Sequence, residues 1–212
     1  MKKGIIFDMD GTLWDTTPLL LEVWNRVMQG YEETKGKFLS LEEIRGLMGK
    51  TMYEIGEAVM PGVETERQEE IFNGCIDAED EALIQQGGSL YPGLEDTLKL
   101  LQKNYHLYIV SNGQENYAHN FIEFYHFEKY FEDEETFGRT LKSKAENIKL
   151  LVERNGLDEA VYVGDTRQDE TSAEEAGVKF IYASYGFGEA LKPDETIGGL
   201  GELPRALERI GF

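Results

Sequence analysis

The spacing of hydrophobic residues changes twice along the chain, near residue 16 and near residue 88. Ile5, Ile6 and Phe7 form a short continuous apolar run that is typical of a buried strand. Between 17 and 86, apolar residues recur three and four positions apart, which predicts helices. After residue 88, short apolar runs alternate with helical spacing, and this alternation predicts a parallel sheet covered by helices on both faces.

These elements predict two domains. The later part of the chain has predicted strands at 107–110, 161–163 and 180–182, and predicted helices at 94–104, 116–125, 145–154, 171–176 and 202–210. Capping boxes at 40–43 and 51–54 mark helix starts in the middle segment. We therefore predict an α/β fold, a doubly wound parallel-sheet core formed by 1–15 and 88–212, with a helical domain of 16–87 inserted after the first strand.

Acidic and small polar side chains follow three of the predicted strands. They are Asp8 and Asp10 after the first strand, Ser111 and Asn112 after the second, and Asp165 and Asp169 after the third. In a doubly wound sheet, ligands bind beyond the carboxyl ends of the strands, so these side chains are expected to meet at one edge. Converging carboxylates there require a hard cation, and oxygen ligands in that number suit Mg²⁺.

This set of side chains favours phosphoryl transfer. One aspartate can act as a nucleophile and form an aspartyl-phosphate, while Mg²⁺ bridges that carboxylate to a phosphate oxygen. The second aspartate, two positions further on, can donate a proton to the leaving group and then remove one. Thr12, Ser111 and Asn112 offer hydroxyl and amide donors for the phosphoryl oxygens.

The motifs that carry this chemistry occur in a fixed order. They are DMDGTLWDT at 8–16, VSNG at 110–113 and VGDTRQDETSAEEAG at 163–177, with YPGLEDTLKLL at 91–101 after the helical segment. In this order and spacing the chain resembles haloacid dehalogenase superfamily phosphohydrolases of the phosphoglycolate-phosphatase-like type, with a Rossmann-like core and a helical cap inserted after the first motif. The resemblance covers essentially the whole chain.

The resemblance implies a role for each matching residue. It implies Asp8 as nucleophile, Asp10 as general acid/base, Ser111 as phosphate-binding residue, Asp165 as metal ligand and Asp169 as support for the metal, with the backbone carbonyl of Asp10 joining the coordination sphere. We therefore expect a Mg²⁺ site that involves Asp8, Asp10, Asp165 and Asp169.

The lysine of the third motif is not marked by its usual Lys-Pro-x-Pro context, which leaves Lys142 and Lys144 as candidates. Ser143 and Glu146 form a capping box, so Lys144 is the first residue of the predicted helix. It stands at the head of an apolar stripe, where a lysine is costly unless a carboxylate meets it, and Asp8 is the expected partner. We predict that Lys144 is the catalytic and phosphate-binding lysine and that Lys142 is solvated.

Two further residues are candidates for substrate specificity. Trp14 stands where a smaller aliphatic residue is common in the family, and is expected to narrow the entrance to the site. Lys50 follows Gly49 between two predicted helices of the inserted domain, where it can contact a substrate.

Composition limits the partners. The 212 residues carry a formal net charge of −20, which disfavours nucleic acid and anionic membranes and means that an anionic substrate needs a metal or local cations. The single Cys75 cannot form an intrachain disulfide, and no run is long enough for a signal peptide or a membrane span. We expect a cytoplasmic monomer or weak dimer that acts on a small phosphorylated metabolite, with the acidic run 132–135 forming a solvated face.

Two alternative functions stay open at this point. A phosphomutase of the β-phosphoglucomutase type would use the same fold and return the phosphoryl group to a sugar. A non-catalytic interaction module could keep the fold, although it would not need the full set of chemical residues. A calcium loop is excluded, because no register of the first motif places Gly and Glu where an EF-hand needs them.

Overall fold

The computed structural model describes residues 1–50 and 52–212, so the predicted capping residue Thr51 lies outside the described residues. The chain divides into two compact units. The core unit is Met1–Asp15 with Ser89–Phe212, and the helical unit is Thr16–Gly88. A role of the helical unit as a cap stays a prediction.

The helical unit contains α1 (Thr17–Met28), α2 (Leu41–Leu47), α3 (Met52–Val59) and α4 (Thr65–Gln86). The strands of the core unit are β1 (Lys3–Phe7), β2 (Trp14–Asp15), β3 (Ser89–Leu90), β4 (His106–Ser111), β5 (Phe131–Thr136), β6 (Glu159–Gly164), β7 (Lys179–Ala183) and β8 (Glu195–Ile197). Its helices are α5 (Leu94–Leu101), α6 (Tyr117–Tyr125), α7 (Phe137–Thr140), α8 (Lys144–Arg154), α9 (Arg167–Ala176) and α10 (Leu203–Arg209).

The main sheet has the strand order β5-β4-β1-β6-β7-β8, and all of its pairings are parallel. Strand β1 lies in the middle, with Ile5, Ile6 and Phe7 fully buried. After β1 the chain builds outward on one side through β4 and β5, and then on the other side through β6, β7 and β8. This reversal next to β1 is the switch point at which a doubly wound sheet forms its ligand crevice. The predicted α/β doubly wound core is confirmed.

Helices α1 and α4 build the interior of the helical unit. Trp24 and Phe72 pack edge-to-face at 5.5 Å between ring centroids, and the Trp24 indole donates a hydrogen bond to Glu79 at 2.9 Å. Cys75 is buried in the same cluster, and burial raises the pKa of its thiol to about 12. Such a thiol is structural rather than reactive. The predicted capping box at the start of α2 is present, with Ser40 accepting from the Glu43 amide.

The prediction of a solvated face at 132–135 is wrong, because these residues lie in strand β5 and one of them is buried. Strand β5 is an edge strand, and Glu135 points inward with only 1% of its surface exposed. The Arg154 guanidinium lies 2.8 Å from the Glu135 carboxylate, and Arg139 lies 3.6 Å from it. The arginines allow burial of this charge, and an inward-facing charge on an edge strand hinders pairing with another chain.

In the described part of the chain, no helix is both long enough and apolar enough to cross a lipid bilayer.

Candidate active site

The carboxyl ends of β1, β4 and β6 bring the predicted residues to one edge of the sheet. Asp8 directly follows β1 and its amide donates to the Val163 carbonyl at 2.8 Å, Ser111 ends β4, and Asp165 directly follows β6. The carboxylates of Asp8, Asp165 and Asp169 offer oxygen atoms that all lie within 4.8 Å of one another, and all three residues are buried. The expected convergence of acidic groups is therefore present.

Helix α8 delivers Lys144 to this cluster. The predicted capping box forms, because the Ser143 side chain accepts from the Glu146 amide and the Glu146 carboxylate accepts from the Ser143 amide. Lys144 is then the first helical residue, and its ammonium lies 2.8 Å from Asp8 Oδ1 and 2.7 Å from Asp169 Oδ1. Lys142 is exposed. The helix register and the Lys144–Asp8 contact are as predicted, while the contact with Asp169 is an addition.

The buried carboxylates outnumber this lysine. Burial, with Asp169 adding repulsion, raises the pKa of Asp8 to about 7 although Lys144 acts in the opposite direction. Burial, Asp169 and Asp8 together raise the pKa of Asp165 to about 8. Burial disfavours the charged form of Lys144, but Asp169 and Asp8 outweigh it and raise the pKa of Lys144. The cluster therefore lacks positive charge, which a bound cation would supply.

The two carboxylate oxygens of Asp165 have different surroundings. The Phe187 amide donates to Asp165 Oδ2 at 2.7 Å. Gly11, at φ +83, and Gly186 both lie so close to this carboxylate that a Cβ on either would overlap Asp165. Asp165 Oδ1 is buried and has no hydrogen-bond partner among the described residues. An orphaned anionic oxygen beside two more carboxylates fits a hard cation, and a donor set made of oxygen suits Mg²⁺.

Asp169 is engaged on both of its oxygens. Oδ1 accepts from Lys144 at 2.7 Å and from the Tyr162 hydroxyl at 3.3 Å. Oδ2 accepts from the Thr166 hydroxyl at 2.6 Å, the Thr166 amide at 2.9 Å and the Asp165 amide at 3.2 Å. These bonds occupy the acceptor positions of the carboxylate, so a direct metal bond would displace one of them. Asp169 therefore contacts both the Lys144 ammonium and the Asp165 backbone amide.

Tyr117 contacts both Asp10 and Trp14, which the sequence did not indicate. Asp10 is half-buried, and the Tyr117 hydroxyl donates to its Oδ1 at 2.9 Å. Trp14 is 1% exposed and packs edge-on against Tyr117, with ring centroids 5.6 Å apart. The expectation that Trp14 narrows the entrance to the site is corrected, because a side chain buried in this aromatic cluster presents no surface to a substrate.

The remaining predicted residues lie in different surroundings. Thr12 is fully buried, and its hydroxyl has no hydrogen-bond partner in the described part of the chain. Ser111 is 3% exposed and its hydroxyl accepts from the Gly113 amide at 3.0 Å, while Asn112 is half-buried beside it. Lys50 is exposed between α2 and α3 of the helical unit.

The sequence analysis did not identify the residues of α6 and of the loop after β7 that contact Asp10, Trp14 and Asp165. The aromatic face of α6 has a readable signal, since Tyr117, Phe121 and Tyr125 are spaced four residues apart. The loop after β7 has a weaker one in its SYGFG sequence at 184–188. No side-chain pattern could indicate the Phe187 amide, because a backbone donor is shared by nearly all residue types.

The sheet is doubly wound, Asp8 and Asp10 follow its first strand, and Lys144 contacts an acidic cluster at its switch point. These features together are typical of one class of hydrolase. Residues 5–183 match the family model of haloacid dehalogenase-like hydrolases, and the chain belongs to this family.

Relatives named as phosphatases match most of the chain. A phosphorylated carbohydrates phosphatase from Thermotoga maritima is 29% identical over 219 residues, covering 95% of this chain and 99% of that protein. A phosphoglycolate phosphatase from Pseudomonas fluorescens is 27% identical, covering 88% of this chain and 71% of that protein. The predicted family and enzyme class, a haloacid dehalogenase-like hydrolase related to phosphatases, are confirmed.

Solved structures support the same fold. A haloacid dehalogenase-like family hydrolase from Streptococcus pneumoniae has a TM-score of 0.84 at 22% identity, covering 96% of this chain and 97% of that chain. CbbY from Rhodobacter sphaeroides, solved in complex with phosphate, has a TM-score of 0.78 at 19% identity, covering 96% of each chain.

Proposed function

We propose that the protein is a Mg²⁺-dependent phosphatase that hydrolyses a small phosphorylated metabolite through an aspartyl-phosphate on Asp8. The observation that carries this proposal is the position of Asp8, which lies at the switch point of the sheet, 2.8 Å from Lys144 and within the buried acidic cluster. A carboxylate beside one fixed cation and two further buried carboxylates is suited to metal-assisted phosphoryl transfer.

The first step forms a bond between an Asp8 oxygen and phosphorus and breaks the bond from phosphorus to the ester oxygen. Asp10 gives its proton to that leaving oxygen, so an alcohol departs. In the second step Asp10 removes a proton from water, the resulting hydroxide attacks phosphorus, and the Asp8 carboxylate leaves. The products are an alcohol and inorganic phosphate, with both aspartates restored to their starting forms.

Other side chains stabilise the phosphoryl oxygens. Lys144 provides a fixed positive charge, and the hydroxyl and amide groups of Thr12, Ser111 and Asn112 provide hydrogen-bond donors. Asp8, Asp165 and the backbone carbonyl of Asp10 would hold Mg²⁺, with Asp169 in support. When bound, the ion would neutralise negative charge on the phosphoryl group and so allow an anion to approach an acidic site.

The proposed substrate class is supported by relatives that are named for phosphoglycolate and for phosphorylated carbohydrates. A small phosphorylated metabolite is the shared chemistry. The helical unit, through residues such as Lys50, is proposed to select the leaving group. We place the enzyme in the cytoplasm, where a thiol such as Cys75 stays reduced, and expect a monomer or weak dimer.

The test measures release of inorganic phosphate from p-nitrophenyl phosphate and from a panel of small phosphate esters, in Mg²⁺ and in EDTA. Turnover in Mg²⁺ that chelation removes and Mg²⁺ restores is expected. Beryllium fluoride, a mimic of the acyl-phosphate, should bind Asp8. Full activity in EDTA would refute the metal dependence, and conversion to an isomeric sugar phosphate without phosphate release would instead indicate a mutase.

A further inference from the structure

Tyr117 links helix α6 to the carboxylate of Asp10. It is the first residue of α6, its side chain is 7% exposed, and its hydroxyl donates to Asp10 Oδ1 at 2.9 Å. The two residues are 107 positions apart in sequence, so the contact depends on the packing of α6 beside the first motif.

The same helix face holds the turn that carries Asp10. The Gly11 amide donates to the Trp14 carbonyl at 3.0 Å, which closes a compact turn from Asp10 to Trp14. The Trp14 ring then packs edge-on against the rings of α6, at centroid distances of 5.6 Å to Tyr117, 4.9 Å to Phe121 and 6.2 Å to Tyr125. Residues four apart lie on one side of a helix, so one face of α6 fixes both the turn and the hydroxyl that reaches Asp10.

We propose that Tyr117 is a positioning residue that orients the Asp10 carboxylate for proton transfer to the leaving group. This inference rests on the proposed function, in which Asp10 exchanges that proton. A half-buried aspartate can rotate about two side-chain bonds, and a hydrogen bond to one oxygen restricts this rotation. Because proton transfer requires the donor to lie within hydrogen-bonding reach of the leaving oxygen, a loosely held carboxylate is a poorer acid. Tyr117 acts through Asp10 and forms no bond to the reacting atoms.

This role predicts a dependence on the leaving group. The variant Tyr117→Phe removes the hydroxyl and keeps the ring that packs on Trp14. It should lower kcat/KM for an alkyl phosphate by about tenfold, part of the contribution that a general acid makes. For p-nitrophenyl phosphate, whose leaving group departs without needing a proton, kcat/KM should change by less than about twofold, since acid catalysis contributes little there. Phenyl phosphate should lie between the two.

A matched control exists in the same unit. The Tyr130 hydroxyl donates to Glu95 Oε1, also at 2.9 Å, and Tyr130 is 4% exposed. Tyr130→Phe therefore removes a tyrosine–carboxylate hydrogen bond of equal length that lies outside the catalytic residues. It should leave all three kcat/KM values within about twofold of the unmodified enzyme, because the lost bond contacts none of the residues proposed to act in catalysis. Thermal unfolding of both variants shows whether they are folded at the assay temperature.

The outcomes separate this inference from the proposed function. An unmodified enzyme that releases no phosphate from any ester in Mg²⁺ overturns the proposed function, and the inference with it. An active enzyme in which Tyr117→Phe lowers kcat/KM equally for all three esters, or for none of them, overturns the inference alone. A loss confined to the esters with poor leaving groups supports it.

Discussion

The core unit holds two clusters of acidic side chains that differ in how their charge is balanced. The site cluster consists of Asp8, Asp165 and Asp169 with Lys144. The β5 cluster consists of Asp133, Glu134 and Glu135 with Arg139 and Arg154. Helix α8 connects them, because it begins with Lys144 and ends with Arg154.

The β5 cluster is paired throughout. Arg154 lies 2.9 Å from Asp133 and 2.8 Å from Glu135, and Arg139 lies 2.7 Å from Glu134. In the site cluster one lysine serves Asp8 and Asp169, and Asp165 Oδ1 lacks a hydrogen-bond partner among the described residues. A high density of acidic residues alone therefore does not identify a functional site. An uncompensated buried charge does, because folding gains nothing from it.

The helix dipole acts in opposite directions on the charged residues at the two ends of α8. The partial positive charge at a helix N-terminus disfavours a lysine there, whereas the partial negative charge at the C-terminus favours an arginine. Arg154 thus lies where the helix stabilises it, and Lys144 lies where the helix opposes it. The carboxylates of Asp8 and Asp169 compensate for this, so the position of Lys144 follows from the site rather than from the helix.

Replacing Asp8 should have the largest effect. Asp8→Asn removes the proposed nucleophile and should lower kcat by more than about 10⁴-fold, the scale of losing a covalent catalyst. It also leaves two buried carboxylates beside Lys144 instead of three, so the melting temperature in EDTA should rise. Asp96→Asn, whose side chain is 91% exposed, is the matched control and should leave kcat unchanged. Steady multiple turnover by Asp8→Asn would contradict the assignment of the nucleophile.

Replacing Lys144 should have the next largest effect. Lys144→Ala removes the fixed cation of the site cluster and should lower kcat on the order of 10²-fold, as losing one charge-stabilising group does in a water-poor site. Lys142→Ala, two residues away and exposed, should change kcat by less than about twofold, since surface substitutions are usually neutral. A direct kinetic comparison of the two variants decides the assignment, and the reverse order of effects would refute it.

The sequence was sufficient for the parts of the site that depend on local signals. Asp8 and Asp165 follow apolar strands directly, and a capping box at Ser143 fixed the register that turns Lys144 inward. The doubly wound parallel sheet followed from alternating strands and helices, because connections in such sheets obey few topologies. These features need only spacing and local chemistry.

The parts that sequence reasoning missed depend on packing between distant segments. The acidic composition of β5 led to the prediction of a solvated face rather than an edge strand. The arginines that neutralise Glu135 come from other elements and could not be assigned from the local sequence. Burial of Trp14 depends on α6, more than 100 residues further along. The Phe187 amide reaches Asp165 only because the loop after β7 returns to the same edge. These contacts join different elements of the fold, so no single local pattern specifies them.

Breaking the β5 cluster should reduce stability and leave catalysis intact. Arg154→Ala leaves the Glu135 carboxylate, which is 1% exposed, with Arg139 at 3.6 Å. The unfolding free energy should fall by about 2 kcal/mol, below the usual cost of breaking a fully buried pair because Arg139 remains. Urea denaturation measures this loss, and adding Glu135→Gln should recover part of it. If kcat/KM of the folded variant fell as far as in Lys144→Ala, the contrast between the clusters would fail.

Changing pH without metal should give the smallest effect, and it tests the imbalance of the site cluster directly. Burial raises the pKa of Asp8 to about 7 and that of Asp165 to about 8, from an ordinary value of 3.8. Between about pH 4 and pH 8 the folded protein therefore holds more protons than the unfolded chain, so rising pH favours unfolding. The contribution of these two residues to stability in EDTA should decrease across that range.

Mg²⁺ should reverse this trend, because it binds the deprotonated carboxylates and competes with protons for them. The gain in melting temperature on adding Mg²⁺ should therefore be small near pH 5 and larger near pH 8. For a chain of this size, each kcal/mol of added stability raises the melting temperature by about 2–4 °C. Asp165→Asn removes one of the two carboxylates with a raised pKa and should flatten the pH dependence of that gain, which separates the site cluster from surface carboxylates that titrate at lower pH. A gain that is equal at both ends of the range, or that keeps its pH dependence in Asp165→Asn, would show that the site cluster is already balanced in the metal-free protein.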